Sequence, residues 1–499
     1  MSCRREAARG ERRATDTDAF TRRTAVKRAA TLGLAASTLG ALDLFAFAPA
    51  RAAAAKGALP EIQYQIEKYL ESPVSVEGVR VRFAPVYTVF LTATLARTPT
   101  STDQEALAAA LTKVESVYPF TPSGVFLTVA YGIPYFERLP GGMTGSLVSA
   151  NMPRLSSDPS RYPLEEAVPA PTDVSPLNPG VKKRTFNVPV AIESNEVVLA
   201  LRSDSSANID EIVSWLFEGA TTLAGKATPA SGLEGLFDVT SRRLMFNQQG
   251  LPRRVAEEEG LPYAQTVNPV SPMWMGFMDQ QLGSAGAPAV TTFEGNATAH
   301  FTNATSRNYF AKASIMHLSH VIQDLGQFYE RPGETYVRRC AAMFRANPVP
   351  NTGYADQFTN GGGPAAIKNT FDGTSAAETE AEAQDTFDGA RHLGHTTALQ
   401  RVSRAFNHDP LHIRADGPGF DAMDVPDGTA QPKLQFSIFV PTAEFFQTMR
   451  ESQASDDLVE RFGVPEENVG LERFITATRR QNFLVPPRRH RAFPLLELA

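Results

Sequence analysis

Apolar and polar positions along this chain follow two periods that take turns. Residues 79–95 (VRVRFAPVYTVFLTATL) and 124–136 (GVFLTVAYGIPYF) are rich in β-branched and aromatic residues, which predicts strands. Between them, 101–118 (STDQEALAAALTKVESVY) repeats its apolar residues at helical spacing. The same strand-helix-strand order returns at 195–203, 208–225 and 236–246. A third set stands near the end, with a strand at 433–440, a helix at 442–454 and a strand-like 482–487. Ahead of all these, 53–78 reads as a linker leading to a short helix in IQYQIEKYL. Residues 139–185 are rich in Pro, Ser and Gly and read as a long surface excursion, and 346–390 is a polar tract containing GGG.

Strand-helix-strand sets of similar size predict an α+β fold of two ferredoxin-like halves, 53–250 and 251–499. With 499 residues, 42% hydrophobic and 20% charged, the chain has ample material for a globular core. A net charge of −6 argues against a nucleic-acid partner, which would want a basic face. Only Cys3 and Cys340 occur, so a cysteine-rich zinc module is excluded. No strand-GxGxxG-helix unit, GxxxxGK[ST] or GxSxG is present, which removes the readable nucleotide sites and the hydrolase elbow.

The front end differs from the rest. Residues 1–52 hold ten Lys/Arg against five Asp/Glu, leaving 38 against 49 in the remainder. Adjacent Arg22 and Arg23 precede a mildly apolar run, Ala29 to Leu42, and then Ala50-Arg51-Ala52, a small-x-small cleavage pattern. The run meets Asp43 after 14 residues, short of the roughly 20 that a membrane span needs. It resembles a twin-arginine signal peptide, with Lys27 where that motif often has Lys. The resemblance implies a chain carried by the twin-arginine export machinery to the periplasm, cell wall or exterior, often with a cofactor already in place.

Eight histidines are few enough to weigh singly: His300, His317, His320, His392, His395, His408, His412 and His490. His490 lies in RRHR and reads as solvated. His317/His320 and His392/His395 have HxxH spacing, which on a helix shares one face and could hold a non-haem metal. No Glu follows the first His as HExxH requires, so a zinc protease is not indicated. The ordinary alternative for each is a hydrogen-bonded structural imidazole.

Order along the chain adds information. GFMDQ (276–280) carries Asp279, RHLGHTT follows about 115 residues later with His395, and PLHIRADGP has Arg414 another 19 positions on. This arrangement resembles the dye-decolourising peroxidase superfamily of haem enzymes. FLTVAYGIPYFER, NEVVLALRSD, KLQFSIFVPTAEFF and FITATRRQNFLVPP match in the right order, so the likeness covers most of residues 75–490. It implies a dimeric α+β barrel arrangement, two ferredoxin-like halves in one chain. It also implies haem b as cofactor, with His395 on the iron and with Asp279 and Arg414 on the opposite side. His412, in LHIR, is the alternative ligand. Counting on from it, the window PDGTAQPKLQF contains no arginine, which favours His395.

In such a site a neutral imidazole, its other N–H held by a carboxylate such as Asp385 or Asp388, would raise electron donation to iron. Asp279 could shuttle a proton between the oxygens of hydrogen peroxide, and Arg414 could stabilise developing negative charge. The implied activity is peroxide reduction coupled to oxidation of an organic donor, and a homo-oligomer is left open. GFMDQ departs from the superfamily's GFxDG at Gln280, and the glycine-rich strand expected after it is replaced by EGNATAHFTNATSRNYFAKAS. Two alternatives stand beside the peroxidase: a haem- or porphyrin-binding protein without catalysis, and an exported protein with a non-haem metal.

Overall fold

After a small two-stranded sheet at Val74–Val76 and Val79–Val81, alternation sets the faces of the first long strand, β1 (Tyr87–Leu95), in the computed structural model of the chain. The structure describes residues 58–76, 79–165, 188–269, 271–275, 291–295, 301–329, 412–454, 463 and 474–499. Tyr87, Val89, Leu91, Ala93 and Leu95 face a helical layer, while Thr88, Phe90 and Thr92 face the other way. Helix α1 (Ser101–Val117) starts at a capping box between Thr100 and Asp103 and buries Leu107, Ala110, Leu111 and Val114 at helical spacing. Strand β2 (Phe126–Tyr131) follows, ending sooner than its composition predicts because the chain turns into a short helix at Ile133–Glu137.

The second set is β3 (Val197–Ser203), α2 (Ser206–Phe217) and β4 (Phe237–Phe246). The four strands lie in the order β2-β3-β1-β4, all antiparallel, with both helices on one face: the ferredoxin-like arrangement. The later residues repeat it. Strand β5 (Ser314–Gln323), the edge pieces β6 (Ile413–Arg414) and β7 (Gly417–Asp421), β8 (Gln431–Val440), helix α3 (Ala443–Ala454) and β9 (Ile475–Val485) form it. Here the order is β9-β5-β8 with β6 and β7 outermost, again antiparallel. The α+β reading of two ferredoxin-like halves therefore holds.

One pair, Leu484 with Tyr131, joins β9 to β2, and with the short strand Ala191–Ile192 parallel to β9 the whole makes a ten-stranded sheet. The sheet curls until β4 comes against β7. A Cβ built on Gly419 would lie 2.8 Å from the Leu244 carbonyl oxygen, and one on Gly417 2.8 Å from Met245 Cγ. Only glycine lets these two backbones approach so closely. The core is accordingly double. A large cluster fills the space between sheet and helices, and a smaller one, with Phe90, Val198, Met245, Met316, Leu318, Phe439 and Phe483, fills the inside of the curl.

The N-terminal strap enters that inside. Ile62 and Tyr64 join the inner cluster, with Tyr64 stacked on Phe439 at 4.0 Å. Between them the Gln63 amide bonds both Val129 N–H and Val129 C=O, at 3.0 Å each, and the Pro486 carbonyl at 2.8 Å. Among the described residues no helix is long and apolar enough to cross a membrane.

Candidate functional site

The outer face of the later half, toward α3, carries polar groups that a plain core would not need. Directly opposed residues of antiparallel strands point to the same side. The pairs Arg414–Ile438, Ile438–His317 and His317–Asn482 therefore define one row across β6, β8, β5 and β9. The row beside it holds Phe436, Ser319 and Arg480. Helix α3 covers the middle: the Phe446 ring stacks on His317 with centroids 3.3 Å apart, and Arg480 lies over the same ring at 5.7 Å.

His317 is wholly buried and both ring nitrogens are engaged, Nδ1 with Asn482 Oδ1 at 2.7 Å and Nε2 with Ser319 Oγ at 2.6 Å. Asn482 in turn donates to the Glu165 carbonyl. This is a locked structural imidazole. At the sheet edge the surface is more open. Arg414 and Asp416 are partly buried and stand two positions apart on the edge strand, either side of Ala415, whose N–H bonds the Ser437 carbonyl. Ala415 faces the inner cluster, so Arg414 and Asp416 face outward together. Burial pushes the Asp416 carboxyl above the ordinary range, and the Arg414 charge pulls it part of the way back.

The HxxH reading of 317–320 is corrected. These residues lie on a strand, where positions three apart point to opposite faces, so His317 and His320 cannot share a metal. His320 faces the inside of the curl. Its Nε2 is 3.3 Å from Asp421 and its Nδ1 2.8 Å from Thr478 Oγ1, whose hydroxyl donates to Asp424. Asp424 holds Arg479 through two bonds at 2.7 and 2.8 Å. Burial raises the Asp424 carboxyl, but His320, Arg479 and Thr478 outweigh it and hold it far below the usual range. Among the described residues no three His, Cys, Asp or Glu side chains group as a metal cage. His490 is also better held than RRHR suggests: it stacks on Tyr309 at 3.8 Å and reaches Glu497.

Of the residues the sequence offers for a haem site, Arg414 and His412 are described. His412 is buried immediately ahead of β6. Asp279, His395, Asp385, Asp388 and the pair partner His392 lie outside the described residues. The chain leading to Asp279 is described as far as Met275. Five positions before Asp279, buried Trp274 donates its indole N–H to the Gly419 carbonyl of β7 at 2.9 Å and packs against Phe246 and Phe420. Trp274 is thus anchored on β7, next to β6, which carries Arg414.

Asp416 and Asn482 are the residues of this face that sequence reading missed, and His317 was read as half of a metal pair rather than as a partner of Asn482. Asp416 sits inside the quoted LHIRADGP and could have been found from strand alternation with Arg414. His317 and Asn482 have no sequence signal that links them.

Among the described residues this face carries His412 as the one candidate iron ligand, and His395 lies outside them. Ile438 and Phe436 give an apolar wall, Arg414 a cation, and Asp416 a desolvated carboxyl, on a face whose far end is sealed by the His317–Phe446 stack.

A family model matches residues 85–487, and the chain belongs to that family, described as a family of unknown function (DUF7405). No curated protein matches the chain. Among solved structures it is similar to the encapsulated DyP-type peroxidase from Mycobacterium smegmatis, with 14% identity and a TM-score of 0.46, covering 83% of this chain and 96% of that one. It is similar also to a dye-decolorizing protein from V. cholerae, at 12% identity and TM-score 0.44, covering 83% and 96%. A third is a variant of Rhodococcus jostii DypB in complex with haem, at 10% identity and TM-score 0.44, covering 82% and 96%.

Proposed function

We propose that this chain is an exported, haem-dependent, peroxidase-like oxidoreductase that reduces hydrogen peroxide while oxidising an organic donor. The observation that carries the reading is the meeting of two segments at one sheet edge. Arg414 faces outward there, and Trp274, just ahead of Asp279, is bonded to the adjoining strand. The motif order Asp279, His395, Arg414 supports the same reading from the sequence.

In this reading His395 holds the haem iron, with His412 as the alternative, and the haem supplies the redox chemistry when bound. The chain's own part is protonic and electrostatic. Asp279 moves a proton between the peroxide oxygens, and the Arg414 guanidinium, fixed on a hydrogen-bonded strand, stabilises the oxygen that gains negative charge. Ile438 and Phe436 keep water from that side.

The test is the mature chain, from residue 53, produced with haem supply. The expected result is a Soret band together with peroxide-dependent oxidation of a dye. Asp279→Asn or Arg414→Ala should lower turnover about 100-fold while the band remains. His395→Ala should lose the band and His412→Ala keep it; the reverse would move the ligand to His412. Haem binding without turnover in the wild type would leave a porphyrin carrier, and no Soret band would sink the assignment.

A further inference from the structure

The stretch EGNATAHFTNATSRNYFAKAS, which stands in place of the glycine-rich strand expected after GFMDQ, repeats a triplet that the peroxidase reading does not use. Asn-Ala-Thr occurs at 296–298 and again at 303–305, and no other Asn of the chain has Ser or Thr two positions on. On an exposed segment such a triplet is the acceptor pattern for N-linked glycans. We propose that Asn303 is an N-glycosylation site of this chain, presented by the folded protein and occupied after export by an oligosaccharide from a polyprenyl-phosphate carrier. The proposal rests on the export part of the reading above and not on haem.

The fold holds the triplet at both ends and leaves its two reactive side chains outside. Thr302 bridges Leu155, and the Ser156 N–H donates to the Phe301 carbonyl at 3.0 Å. The Thr302 hydroxyl, itself buried, donates to the Phe293 carbonyl at 2.8 Å. At the far end the Thr305 N–H and hydroxyl both donate to Asn308 Oδ1, at 2.6 and 3.0 Å. Asn303 and Thr305 are exposed, while Ala304 between them packs against the large core cluster. Acceptor amide and threonine hydroxyl thus stand on the same side, where one enzyme can hold both.

The amide is also oriented. The Asn303 N–H donates to the Arg154 carbonyl at 3.0 Å, and Asn303 Oδ1 accepts the Arg154 N–H at 2.9 Å. These bonds fix the amide plane and leave Nδ2, the atom that takes the sugar, bonded to no described residue. The Thr305 hydroxyl bond is exposed, so water or the transferase can replace it at little cost.

The reaction is a substitution at the first carbon of the sugar. The Nδ2–C1 bond forms as the C1–O bond to the carrier phosphate breaks. The phosphate leaves with the bonding electron pair, the amide proton passes to a base and then to solvent, and nothing is oxidised or reduced. A chain exported by the twin-arginine route crosses folded, so the transferase meets the native surface. A triplet shut inside the fold would stay bare, which makes the exposure of Asn303 and Thr305 the deciding property.

Mass spectrometry of the chain exported by its own host is the test, in an Asn296→Gln background that leaves a single triplet. The expected mass exceeds that of the mature polypeptide by a whole number of sugar residues, with fragmentation placing them on Asn303. The addition should be lost in Asn303→Gln and in Thr305→Ala and kept in Thr305→Ser, which retains the hydroxyl. An exported chain with bare Asn303, or a glycan that survives Thr305→Ala, overturns the proposal. A chain retained in the cell with its signal uncleaved takes export and modification down together, whereas an exported bare chain sinks the modification alone. The part played by the fold is read in vitro, with a lipid-linked oligosaccharide and an oligosaccharyltransferase. The folded mature chain should accept the glycan as readily as a peptide of residues 301–309. Transfer to the peptide alone, or to neither, overturns presentation by the native surface.

Discussion

His317 and His320 show how much one residue's surroundings decide. Three positions apart on β5, one is clamped under Phe446 on the outer face and the other joins two aspartates and a lysine inside the curl. The inner network has a measurable consequence. A carboxyl held below its unfolded value stabilises the fold above that value, and the contribution fades as pH falls from about 3.9 toward the folded value. Asp424 is such a group, so the stability gap between the wild type and Asp424→Asn should be widest above about pH 4 and narrow steadily as pH falls below it. At neutral pH the same variant should lose about 3 kcal/mol, since it leaves the His320–Arg479 side of a partly buried network without its anion. Urea unfolding at two pH values checks both statements. A variant as stable as the wild type at neutral pH would show that the network is neutral in net effect.

At the scale of elements, the seam between the halves is thinner than the halves themselves. A single residue pair joins β9 to β2, and the Gln63 side chain takes over where the ladder stops, capping Val129 N–H, Val129 C=O and Pro486 C=O. Gln63→Ala would leave three buried backbone groups without partners, at roughly 1 kcal/mol or more each. The expected loss is about 3 kcal/mol in denaturant unfolding, against a loss near zero if water replaces the amide. Helices α1 and α2 were legible in the sequence because one face is apolar and the other wet. Strand β5 was not, since every one of its ten residues is buried and no alternation survives on a strand covered on both sides. Its histidines, spaced three apart, imitated a helical period. Residues 482–487 showed only the apolar end of β9, because Arg480, Gln481 and Asn482 are polar residues turned into the interior.

For the whole molecule, the proposed export stands apart from the fold. Arg22 and Arg23 lie ahead of a short apolar run, and the strap that closes the curl begins within ten residues of Ala52. Replacing both arginines by lysine (Arg22→Lys with Arg23→Lys) should leave an uncleaved, folded chain inside the cell, read by fractionation and mass spectrometry. Normal export of that variant would sink the twin-arginine proposal.

Most strands and helices other than β5, the two-fold repetition of a strand-helix-strand set and the Arg414 motif could be read from residue types, because local periodicity and short-range spacing are properties of the chain itself. Which side of the sheet Arg414, Asp416 and the histidines serve, and that Trp274 meets Gly419, depended on register and curl. Those are set by pairings between separate strands, some of them more than a hundred positions apart, for which a single sequence carries no local signal.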